Sequence, residues 1–133
     1  MGRSSGPRAA RRGQALVELA VAMPVVLLLA VGLLQLALYL HAEGVVRGAC
    51  EEGARVASAG AEDQLDAGVA VANALVGAGL SSSTAVTITA SEDRDTVTFE
   101  AHGALPLVLP GFWARALPLS ARVVTDRERF HAP

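Results

Sequence analysis

The sequence predicts an α+β protein. A long N-terminal transmembrane helix continues into a small external domain with a second helix and a three-stranded antiparallel sheet. Three observations carry this reading. Residues 15–40 form one apolar run whose only strongly polar members are Glu18 and Gln35. A later stretch repeats apolar residues at helical spacing. Beyond it, three segments alternate apolar and polar residues with the period of two that half-buried strands show. The expected boundaries are 1–13 for a basic leader, 14–40 for the membrane helix, 41–60 for its continuation and 61–133 for the external domain.

Charge orients the first helix. The 133 residues carry a formal net charge of −2, unevenly placed. Arg3, Arg8, Arg11 and Arg12 precede the apolar run with no acid among them, and all thirteen acids follow. A basic tail ahead of a spanning segment places the N-terminus in the cytoplasm and residues 41–133 outside. The acidic remainder offers no basic patch for nucleic acid. Cys50 is the single cysteine, so no intrachain disulfide framework holds the external part.

At about 1.5 Å per residue, residues 15–40 make a helix of about 39 Å, against a hydrocarbon core of about 30 Å. Two other readings compete. A buried core helix needs a second segment long enough to cover it. A cleaved secretory signal has a shorter apolar region ending at small residues, and "LYLHA" is a poor cleavage site. Pro24 lies within the run, where it removes the bond to the Ala20 carbonyl and is expected to kink the helix.

Glu18 sits about one turn into the apolar run. One reading is a tolerated acid that snorkels to the interface. The spacing from Gly13 supplies another. Gly13 stands at the junction of basic tail and apolar helix, where a glycine permits extended, accessible backbone. Cleavage after it makes Gln14 the first residue, with a free α-amine one turn from Glu18 on the same helix face. An amine and a carboxylate sharing a low-dielectric site neutralise each other, whereas either one alone is costly there.

Past the membrane the helix is expected to reach about Ala59. Ala49, Gly53 and Ala57 recur every four residues, with Gly44 and Gly48 one turn earlier. Such small residues pack against the chain's own sheet or allow close approach of another helix. Gly60 is a break. Glu62 and Asp63 suit a helix N-terminus, Leu65, Val69, Ala72 and Val76 give the apolar stripe, and Gly77 and Gly79 close the second helix. "TAVTITA" and "TVTFEAH" form a hairpin across "SEDRD", with Val86 and Ile88, then Val97, Phe99 and Ala101, facing inward. "LSARVV" is the third strand, with Leu119, Ala121 and Val123 on one side. The connection "LPLVLPGFW" is unusually apolar. It covers the sheet's open end, or it places Phe112 and Trp113 at a membrane or subunit contact.

The sequence contains no evident nucleophile and base set. His41, His102 and His131 fall in separate elements without metal-ligand spacing. No glycine-rich phosphate loop follows a strand. The expectation is a protein without enzymatic activity, metal or cofactor.

The segment "RRGQALVELAVAMPVVLLLAVGLLQLALYL" resembles the type III signal of type IV prepilins and pseudopilins. It looks most like the TadE-like family of the tight-adherence (Tad/Flp) pilus system. Downstream, "VVRGACEEGARVAS" is similar to the family's Ala-x-x-Glu-Gly-Ala-Arg pattern, carried here by Ala49, Glu52, Gly53, Ala54 and Arg55. "LPLVLPGFWARALPLSARVVTDRE" looks like the family's C-terminal end. The resemblance implies a pilin-like fold and cleavage between Gly13 and Gln14 by a membrane prepilin peptidase. It implies a minor pilin or pseudopilin that Glu18 recruits into helix-to-helix assembly with other pilins and the Tad platform. Pro24 then lets the helix bend as it leaves lipid. The location implied is the bacterial cytoplasmic membrane, single-pass, with entry into a surface pilus. The alternative is an uncleaved envelope protein whose helix anchors an external binding domain.

Overall fold

The computed structural model describes residues 7–59, 64–107 and 115–127, with side chains from residue 13 onward. The expected break at Gly60, the acids Glu62 and Asp63, the aromatic pair Phe112 and Trp113, and His131 lie outside the described residues. Helix α1 spans Pro7–Ser58, 52 residues. It begins inside the basic leader. Proline at the first helical position suits an N-terminus, because its missing N–H would have no partner there. The arginines and alanines that follow are strong helix formers. Both Gly13 and Pro24 therefore lie within α1.

The chain divides into two units, Met1–Leu36 and Ala37–Pro133. In the first, large apolar side chains all around α1 face outward. Leu16 and Leu33 are each 67% exposed and Leu27 60%. Among the described residues, no part of its most apolar stretch is buried. The covering segment that a soluble core helix needs is absent from the described residues. This helix is long and apolar enough to span a bilayer.

The second unit is a helix pair laid on one face of a sheet. Helix α2 spans Gln64–Gly79 and buries Gly68, Ala72 and Val76 at a spacing of four. The Leu80 N–H donates to the Val76 carbonyl at 2.9 Å and closes it. Contacts run Gly53 to Gly68 and Val45 to Gly79, so α2 descends antiparallel to the end of α1. The strands are β1 (Ala85–Glu92), β2 (Thr96–Pro106) and β3 (Ala116–Asp126), antiparallel in the order β1-β2-β3. Phe99 pairs with Ala90 and Val123, and Ala101 with Ile88 and Ala121. These residues share the inner face, with Val97, Phe99 and Ala101 essentially inaccessible. The core unites them with Val46, Ala49, Cys50, Ala54 and Ala57 of α1 and Ala72 and Val76 of α2. The opposite face is polar: Arg122 Nε lies 3.2 Å from Glu100 Oε1.

One segment departs from the expectation. Leu105 and Pro106 are not part of a loose connection but extend β2, opposite Leu117 and Ala116 of β3. The Leu107 N–H then donates to the Arg115 carbonyl at 2.8 Å and holds the base of the loop.

Candidate functional site

Two sets of residues carry the candidate function, one in each unit. The first lies around the leader junction. Gly13 is exposed, with open space where a side chain would be. Its backbone is helical, not extended as the sequence reading allowed. One turn on, the Gln14 amide nitrogen Nε2 donates to Glu18 Oε1 at 3.1 Å. This contact gives the carboxylate a neutral partner. Val17 and Val21, on the same side of the helix as Glu18, are exposed. An acid among exposed apolar groups is stable in lipid only if it is protonated, reaches the interface or meets a positive charge. Pro24 follows six residues later, and α1 continues through it.

The second set is the motif from Ala49 to Arg55 near the end of α1. Its helical spacing divides it between two faces. Ala49, Gly53 and Ala54 point into the core, and Arg55 points to solvent with Glu52 at the margin. Gly53 is where the two helices touch. A Cβ there would lie 2.8 Å from the Gly68 carbonyl oxygen, 2.9 Å from Phe99 Cε1 and 3.0 Å from Ala72 Cβ. Gly68 is tighter still against the Gly53 carbonyl oxygen. The paired glycines let the backbones approach closely enough for one aromatic ring to seal the crossing. On the outer face Arg55 Nε donates to Glu52 Oε2 at 3.0 Å. The Arg55 guanidinium holds the Glu52 carboxyl below the usual carboxylate range. Glu52 in turn raises the pKa of Arg55. The motif thus joins a helix-crossing glycine to a surface ion pair one turn wide.

Cys50, next to this turn, is fully buried. Burial pushes its thiol pKa up, and the neighbouring Glu51 charge adds to the effect. A protonated, enclosed thiol is a packing group and not a nucleophile. Among the described residues no group of three His, Cys, Asp or Glu side chains is placed to hold a metal ion. A crevice of about 330 Å³ opens beside His41, Ala42, Leu80, Ser83 and Thr84. It brings together hydroxyls and apolar walls, but no charged pair.

The sequence reading did not single out Gly68. Its signal was present: Leu65, Gly68, Ala72 and Val76 follow the three-four spacing of a buried stripe, with the small residues at its centre.

No curated protein and no solved structure matches the chain. The family model described as TadE-like protein matches residues 13–55. Gly13, Glu18, the apolar helix and the motif ending at Arg55 all fall within the residues that match.

Proposed function

We propose that the chain is a minor pilin or pseudopilin of a Tad-type pilus, matured by a prepilin peptidase that cuts after Gly13. One observation carries the reading. Glu18 stands one helical turn beyond the leader junction, at the head of an exposed apolar helix and inside the TadE-like segment. Cleavage replaces the leader with a free amine on Gln14. The carboxylate, bonded before cleavage to a neutral amide, then gains a cationic partner on its own or a neighbouring subunit. Neutralisation lets the head of the helix sit among other apolar helices at low cost. The partners on this reading are the peptidase, other pilins and the Tad assembly platform. The chain is a substrate and a building block, and performs no reaction itself.

The helical state of Gly13 adds a requirement. A peptidase acts on extended backbone, so the first turns of α1 must open before the cut. Glycine in a helix interior costs about 0.5–1 kcal/mol relative to alanine, which makes this the easiest point to open.

The same helical Gly13 also fits the second reading, an uncleaved anchor for an external binding domain. The intact mass of membrane-extracted chain, produced with and without the peptidase, separates the two. Loss of residues 1–13 only when the peptidase is present supports maturation, whereas full length under both conditions supports the anchor. Gly13→Leu should remain full length with the peptidase present. Glu18→Ala should still be cut but enter pili poorly, and an unchanged pilus yield would remove Glu18 from assembly.

A further inference from the structure

Glu43, Arg47, Glu51 and Arg55 follow one another every four residues along the end of α1, alternating in sign. All four are exposed, on the side of the helix away from Ala42, Val46, Ala49 and Gly53. Consecutive members are spaced to pair along the helix. Among the described residues they do not, and the Arg55 side chain turns back to Glu52. Gly44 and Gly48 lie beside the row, with nothing within 4 Å of where their Cβ atoms would be. This is an uncovered helix face with low relief and a regular charge pattern.

The pattern selects its partner. Two parallel copies in register would set glutamate against glutamate and arginine against arginine. A displacement of four residues, about 6 Å, reverses every contact. Arg47, Glu51 and Arg55 of one copy then meet Glu43, Arg47 and Glu51 of the next. A displacement of eight residues restores like-on-like contacts. An antiparallel arrangement would also match charges, but copies inserted in one membrane in one orientation cannot adopt it. We infer that this face binds a second copy of the same chain, parallel and displaced by one four-residue step along α1. The inference rests on the assembly reading above only in that the copies share a membrane.

Exposed ion pairs are individually weak, so the row sets register more than strength. The glycines let the helices approach closely enough for the charges to meet. A displaced parallel contact is also not self-closing. Each copy keeps one half of the surface free, so addition continues along a line and does not stop at a pair.

Disulfide trapping tests the register. In a Cys50→Ala background, full-length chains carrying Gly44→Cys or Gly48→Cys, with different tags, are co-expressed and mildly oxidised in membranes. The expected product is the mixed 44–48 disulfide, exceeding each symmetric disulfide by roughly fivefold, the preference a few weak pairs supply together. Symmetric products equal to or above the mixed one overturn the inference. So does a mixed yield no higher than that of chains carrying Gly77→Cys, an open position on α2. Charge reversal gives an independent arm. Arg47→Glu with Arg55→Glu makes the row all acidic and should abolish the mixed product. Adding Glu43→Arg and Glu51→Arg restores the alternation and should restore the product; failure to do so overturns the inference. The intact mass of the same samples keeps the two proposals apart. With the peptidase present, a mixed disulfide in chains that keep their leader refutes maturation alone, and its absence in matured chains refutes the register alone.

Discussion

A methyl group added at Gly53 would meet the Gly68 carbonyl oxygen at 2.8 Å and the Phe99 ring at 2.9 Å. Backbone on one side and a packed ring on the other leave neither neighbour free to yield. Gly53→Ala should therefore destabilise the external unit by about 1–3 kcal/mol, the usual cost of overpacking. Gly48→Ala has open space and should instead stabilise by about 0.5–1 kcal/mol through lost chain freedom in the unfolded state. Denaturant melts of both variants in detergent should move in opposite directions. Glu52 offers a test by acidity. Its carboxyl pKa is lowered in the fold from 4.5 by Arg55. A lowered carboxyl pKa adds stability above the unfolded-state value, and that stability is lost as pH falls through the folded value. The pair is exposed, so the effect is small. Wild type should exceed Glu52→Gln in melting temperature at neutral pH, with the difference vanishing as pH drops below 4.5. A difference that persists in acid would assign the effect to something other than this pair.

Among the strands, the central one has the largest share in the core, through Val97, Phe99 and Ala101. Phe99 is fully buried and lies against the α1–α2 crossing. Phe99→Ala should cost about 3–5 kcal/mol, seen as a lower unfolding midpoint with near-native secondary structure before the transition. This strand was readable from sequence because Val97, Phe99 and Ala101 alternate with polar residues and the sheet has one wet face. The same holds for Leu119, Ala121 and Val123. The end of β2 was not readable. Leu105 and Pro106 stand in a continuous apolar run, and their partners Leu117 and Ala116 are equally apolar. A run without alternation carries no signal of pairing. At the other end of the chain, the leader's arginines and alanines favour a helix but form no apolar stripe, so the start at Pro7 carries no periodic signal. The Gly53–Gly68 crossing depends on which stripe meets which, and a single stripe does not reveal its partner.

For the whole molecule the decisive feature is the exposed apolar first unit. Leu16, Val21, Leu29 and Leu34 find no cover among the described residues. The protein should stay with membranes through alkaline carbonate and high-salt washes and leave only with detergent. Release by carbonate would reduce residues 15–40 to a peripheral segment. The long helix and the strands were legible because each follows from periodicity and length alone. On the proposed reading the roles of Gly13 and Glu18 were legible only as a spacing, because their chemistry would begin with a covalent change made by another protein.

Half of the buried cluster in the second unit, Val46, Ala49, Cys50, Ala54 and Ala57, belongs to α1. The last turns of that helix are thus also a wall of the folded head. A fragment trimmed to begin at Gln64 would retain its strands yet lose the surface they condense upon. The head therefore cannot be shed intact by a cut just past Ser58. During synthesis that wall emerges first, and the sheet, made last, settles onto it.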